Sequence, residues 1–177
     1  MLETAEKQAP AITSGGAKIE LKNLKYSEFA SQETYCFEAS VYIDGKKAGI
    51  VSNQGCGGSH SYHPNTLYQI LKAEADKLPT HEWRFNEEVL HIAPDADTVI
   101  SELVTEALQA KDLKSGMRRR ILFVGDNGEI FETKSVEAAV LAAQLKRADI
   151  YERLKTKTIL NLLPFPEALS IYIKGAK

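Results

Sequence analysis

The segment SNQGCGGSHSYHP, residues 52–64, gathers more hydrogen-bonding chemistry than any other stretch of the chain. Gly55, Gly57 and Gly58 let a backbone come close to a ligand, while Ser59, His60, Ser61, Tyr62 and His63 set donors and acceptors beside it. An apolar strand pattern precedes the segment and a helical pattern follows it, an arrangement that presents backbone N–H groups to an anion. Asn53, Gly55, Gly57, Gly58, Ser59, His60, Tyr62 and His63 are therefore the candidate ligand-binding residues, and the expected ligand is a partner protein or an anionic small molecule such as a nucleotide. The segment matches neither GxGxxG nor GxxxxGK followed by Ser or Thr, and it has no lysine to neutralise a phosphate chain. The same residues also suit a plain connection, with glycines for turns and Ser or Asn for local capping.

Cys56, His60 and His63 form a CxxxHxxH spacing, and sulfur with imidazole suits zinc. With His81, His91 or water as a fourth ligand, the alternative function is a metal-dependent hydrolase acting on a phosphodiester. No carboxylate stands close in sequence to orient either histidine. A Cys56/His60 nucleophilic pair lacks a third orienting group, and no catalytic residue is assigned. A second alternative is nucleic-acid binding through Arg118, Arg119 and Arg120, with Lys114 before them and Lys146, Arg147, Arg153, Lys155 and Lys157 later. Aromatic residues are not interleaved with these charges, and nearby glutamates dilute them, so solvated helix faces are the expected account. Trp83 is the single tryptophan, either a recognition anchor or core. Glu87 and Glu88 make no acid/base pair, and Asp95 and Asp97 read as helix caps.

The elements that must position these residues follow from periodicity. Ile19 and Leu21 alternate with charged neighbours, as do Tyr35, Phe37, Ala39, Val41 and Ile43 with mostly polar ones, which predicts a half-buried antiparallel meander. Asp44-Gly45 supplies the two positive-φ positions of a type I′ hairpin into KKAGIVS. A helix is expected over 65–77, with Leu67, Ile70, Leu71 and Ala75 inward, and a second after a cap at Asp97 or Thr98, with Ile100, Leu103, Val104, Ala107 and Leu108 inward. Between them HEWRFNEEVLHIAP holds a short strand through 89–92. LKSGMRRR reads as a join, after which RRILFV and EIFET flank the turn GDNG. Ser135 is the expected cap of a third helix, and Pro166 opens a last one. The fold class is α+β: an antiparallel meander sheet packed by helices, then a C-terminal hairpin plus helices. Residues 1–16 are expected to be a flexible tail, 17–113 to hold the sheet, two helices and the glycine-rich loop, and 117–177 the hairpin and helices, all packed as one compact unit.

Composition sets the class: 177 residues, 44% hydrophobic and 26% charged, are globular proportions, and one domain is the default. A net charge of −2 provides no global field toward nucleic acid or an anionic membrane, so any such contact needs a local patch. No apolar run approaches the roughly 20 residues of a membrane span. The opening MLETAEKQAPAITSGG has neither a basic n-region nor an apolar h-region, and only two cysteines occur, so a reducing cytoplasm is expected.

At TYCFEASVYIDGKKAGIVSNQGCGGSHSYHP and again at ILNLLPFPEAL, the chain resembles a group of small uncharacterised proteins of bacteriophages and bacterial mobile elements. That resemblance covers most of the chain after residue 17 and implies a context only: an accessory protein of a phage or prophage that meets a host protein in the bacterial cytoplasm. No catalytic residue and no cofactor comes with it. The expected function is that of a non-enzymatic binding protein using the glycine-rich loop.

Overall fold

In a computed structural model the protein is described at residues 11–13, 17–85, 88–147, 154 and 157–175, with side chains left aside at 11–13, 81–88 and 90. The fold is α+β, as its periodicities predict. The chain divides into two compact units, residues 1–107 and 108–177.

The first unit is built on a five-stranded antiparallel meander in sequential order. Its strands are β1 (Ala11–Thr13), β2 (Lys18–Ser27), β3 (Cys36–Ile43), β4 (Lys46–Gln54) and β5 (Ser61–His63). Alternation places Leu21, Val41 and Gly49 in register across one face, with Ala39, Val51 and Tyr62 in the next row and Phe37 beside Asn53 at the end. Leu21, Phe37, Ala39, Val41 and Val51 are buried, so this face is the core face. Two of its outermost positions, Asn53 and Tyr62, are polar. Asp44 and Gly45 have φ of 49° and 78°, which is the backbone the β3–β4 turn requires. Asn23, at φ 56°, marks a bulge where the register of β2 slips between Lys22 and Lys25.

Ala11–Thr13 corrects one expectation, since these residues pair with β2 in place of belonging to a structureless tail. Residues 1–10 and 14–16 lie outside the described residues. Helix α1 (Thr66–Ala75) buries Leu67, Leu71 and Ala75 but leaves Ile70 exposed. HEWRFNEEVLHI forms two paired strands, β6 (His81–Phe85) and β7 (Glu88–Ile92). Glu87 and the Trp83 side chain lie outside the described residues. Helix α2 (Ala96–Met117) opens the last segment of this unit with Ala96, Val99, Ile100, Leu103 and Val104 buried.

The division between the units falls within α2. LKSGM, read from sequence as a join, is the end of that helix: Leu113 is buried, and Gly116 sits against Leu122. The second unit adds β8 (Leu122–Val124), β9 (Ile130–Glu132), α3 (Ala138–Leu145), a 3₁₀ turn at Leu160–Leu162 and α4 (Phe165–Gly175). Leu113, Leu122, Leu160 and Ala168 form one apolar cluster, and Ile121, Leu141, Leu154 and Ile159 another. The Asn161 amide donates to the carbonyls of Met117 and Arg120 and accepts from Leu122 N–H, closing the helix end and the hairpin together. Ser135 does not cap α3, which starts after Glu137 with no side-chain cap bond. No helix among the described residues is long and apolar enough to cross a membrane.

Candidate functional site: a cleft at His60

Asn53 organises the end of the sheet. It is buried, at 7% exposure, and its amide makes four hydrogen bonds. Oδ1 accepts from Gly55 N–H at 2.8 Å and from the Thr34 hydroxyl at 2.9 Å. Nδ2 donates to the Gly58 carbonyl at 3.2 Å and meets His60 Nδ1 at 3.0 Å. A backbone N–H can only donate and a carbonyl can only accept, so Gly55 and Gly58 together settle which end of the amide is which.

That orientation decides the state of His60. Its Nδ1 must accept from Asn53, so the neutral ring carries its proton on Nε2, which donates to Ser101 Oγ at 3.0 Å. Burial lowers the His60 pKa from its ordinary value, although the charge of the Asp97 carboxylate and the Asp97 backbone pull it the other way. A proton added at Nδ1 would face the Asn53 NH₂, which agrees with that direction. Ser101 therefore has a donor beside it and no base, so the pair is not arranged to make a nucleophile. The ring of His60 also stands edge-on to Phe37, with centroids 5.2 Å apart.

The first turn of α2 holds this strand end. Asp97 accepts from the Tyr62 hydroxyl at 2.6 Å and from His60 N–H at 3.3 Å. Burial, and then the bond to Asp97, push the Tyr62 hydroxyl far above the usual phenol value, so it stays a donor at physiological pH. Asp95 is the true cap of α2, accepting from the amide and hydroxyl of Thr98 at 2.8 Å each. Burial pushes the Asp95 carboxyl up, and these bonds outweigh it to leave the group below its usual value. Asp97, read from sequence as a cap, instead ties helix to strand.

The opposite wall is the β2–β3 connection. The Gly55 carbonyl accepts from three successive amides, Gln32 at 2.9 Å, Glu33 at 3.0 Å and Thr34 at 3.4 Å. Gly55 has φ of 85°, and a Cβ there would strike the Ala30 carbonyl and Cys36. At Gly57, φ 83°, a Cβ would meet the Glu33 carboxylate, whereas Gly58, φ 85°, faces open space. Gly55 and Gly57 thus admit the chain's own neighbouring loop.

Between these walls lies a cleft of about 420 Å³. Tyr26, Tyr35, Phe37, His60 and Val104 supply its apolar and aromatic surface, and Glu28, Ser31, Gln32, Glu33, Thr34 and Ser101 its polar surface. Of the residues singled out in the glycine-rich segment, only His60 lines it. Asn53 and Gly55 brace it from behind, and Tyr62 is turned to Asp97. Gly57, Gly58, Ser59 and His63 do not line it, and the last three of these are exposed. Sequence reasoning missed Asp97 as a tie, Ser101, and the whole 26–35 wall. The one available signal was the i, i+4, i+7 spacing that sets Asp97, Ser101 and Val104 on a single helical face.

Cys56, His60 and His63 do not converge. Cys56 is exposed beside the Gln54 carbonyl, both ring nitrogens of His60 are engaged, and His63 sits on the strand face opposite Tyr62. Among the described residues no three His, Cys, Asp or Glu side chains gather where a metal ion could bind. In the second unit Arg118 and Arg119 are exposed at the end of α2, while Arg120 is spent on the Glu132 carboxylate at 2.8 Å. Lys114 lies over the Phe165 ring and Lys157 pairs with Asp126. Arg153 and Lys155 lie outside the described residues. The chain matches no protein-family model, no curated protein and no solved structure.

Proposed function

We propose that the chain is a non-enzymatic binding protein and that its ligand is a small molecule held in the His60 cleft. The observation that carries this reading is the saturation of Asn53. A buried amide with all four bonds made fixes His60, the glycine-rich segment and Thr34 at once, which is how a preorganised site is supported. The cleft's volume falls in the range of small-molecule sites. The His60 tautomer, which withholds a base from Ser101, favours binding over acyl or phosphoryl transfer. A nucleotide, the ligand expected from the glycines alone, would find no lysine or arginine among the lining residues. The phage-accessory context and a cytoplasmic location belong to the same proposal, resting on the resemblance and on composition.

The test is a thermal-shift screen of a metabolite library on the parent and on Ser101→Leu, which fills the cleft and removes the His60 partner. Ligands that raise the parent's melting temperature should leave the variant's unchanged, because stabilisation requires binding to the folded state. Hits that stabilise both proteins equally place the ligand elsewhere and defeat the proposal.

A further inference from the structure

We infer that the cleft selects an organic cation, an ammonium or quaternary ammonium group on a small carbon frame; this rests on the binding reading above. The charged residues at the cleft are Glu28 and Glu33, the Glu33 carboxylate lying at the edge beside Gly57, and no lysine or arginine lines it. Neither carboxylate belongs to an ion pair among the described residues, so both keep their charge for an incoming group.

Two of the remaining polar groups, Ser31 and Thr34, are committed. Ser31 Oγ donates to the Ser27 carbonyl and accepts from Cys36 N–H, each at 2.8 Å. The Thr34 hydroxyl donates to Asn53 and accepts from Gly57 N–H. An anion would need donors, and these two hydroxyls have none left, so the neutral donors it would meet include the Ser101 O–H and the Gln32 amide, with no cationic group beside them. What the cleft does offer is ring surface: Tyr26 with Tyr35, edge to face at 5.8 Å, and Phe37 with His60. His60 is held neutral by the Asn53 amide, so it adds a π surface without adding positive charge. Aromatic faces beside uncompensated carboxylates attract a cation through the ring quadrupole and through Coulomb's law together.

The probes are choline, its neutral carbon isostere dimethylbutanol, and adenosine monophosphate as an anion, each titrated while the amide NMR signals are followed. Choline should shift the signals of Thr34, Tyr35, Phe37 and Ser101, and bind at least about fivefold more tightly than the isostere, as a short cation–carboxylate and cation–π contact implies. The double variant Glu28→Gln with Glu33→Gln should lose at least about that factor for choline and none for the isostere. Both positions are exposed, so its melting temperature should match the parent's. If the isostere or the nucleotide shifts the same signals at equal or lower concentration, the cation inference fails while small-molecule binding at the cleft survives. Unchanged choline affinity in the double variant also overturns it. Should no probe move those signals up to the millimolar range, the inference and the reading of the cleft fall together.

Discussion

The glycine-rich connection between β4 and β5 and the polar connection between β2 and β3 touch each other, yet they differ in what their sequences advertise. The first, GCGGSH, carries three glycines and a histidine, and the second, EFASQETY, looks like an ordinary surface loop. It is the second that supplies most of the polar lining of the cleft, while the first supplies His60 and a bed for its neighbour. Gly55 and Gly57 lie against Ala30 and Glu33. Glycine density reports that something comes close to a backbone. It does not report whether that something is a ligand or another part of the same chain.

The largest expected effect is at Gly55. A methyl group there must adopt a left-handed backbone and collide with the Ala30 carbonyl, so Gly55→Ala should cost about 3 kcal/mol, the sum of backbone strain and overpacking. Urea denaturation measures this, and a loss below about 1 kcal/mol would mean that the β2–β3 connection is not docked as described. Asn53→Ala comes next. It strands two donors and two acceptors at a buried position and should cost about 2 kcal/mol. The same variant tests the tautomer. His60 titrates below its ordinary value near 6.5 in the folded chain, so on acidification the unfolded chain binds that proton first. Stability should therefore decline as pH falls below about 6.5, then level once the folded-state pKa is passed. Taking away the donor that faces Nδ1, and letting water reach the ring, should raise the folded-state pKa, so the decline should shrink in Asn53→Ala; denaturation midpoints across the acidic range show whether it does. The smallest effect belongs to Gly58→Ala. Its Cβ would enter open space, leaving only the left-handed backbone at about 1 kcal/mol. Equal losses at Gly55 and Gly58 would erase the distinction between a docking glycine and a turn glycine.

Local signals were legible in the sequence and distant partnerships were not. The Asp44-Gly45 hairpin, the alternation of Phe37, Ala39 and Val41, and the GDNG turn all depend on residues adjacent in the chain, and each appears where periodicity and turn chemistry place it. Ser115-Gly116 resembles a breaker, yet Gly116 lies within α2, where a methyl group would meet Leu122 only at ordinary van der Waals contact. At the candidate site His60 and Tyr62 stood out, but their partners Asp97 and Ser101 lie 35 to 41 residues away. An acidic residue near a helix start has a local explanation as a cap, and that local reading concealed the long-range tie that Asp97 makes. The spacing CxxxHxxH suggested convergence, yet the strand pleat sends His63 away from Tyr62, and no one-dimensional spacing reveals which side of a pleat a residue takes.

Three amides, those of Gln32, Glu33 and Thr34, rest on the single carbonyl of Gly55. Rotating one peptide plane by a few tens of degrees would release all three at once, whereas releasing them singly would require distorting the loop itself. The backbone of this wall thus hangs on one carbonyl, beside the side-chain ties of Thr34 to Asn53 and to Gly57 N–H, so its three amides should open together. Once corrected for their intrinsic rates, the three amides should show a common protection against deuterium exchange, set by the opening of the Gly55 carbonyl and not by the exposure of each N–H in its own right.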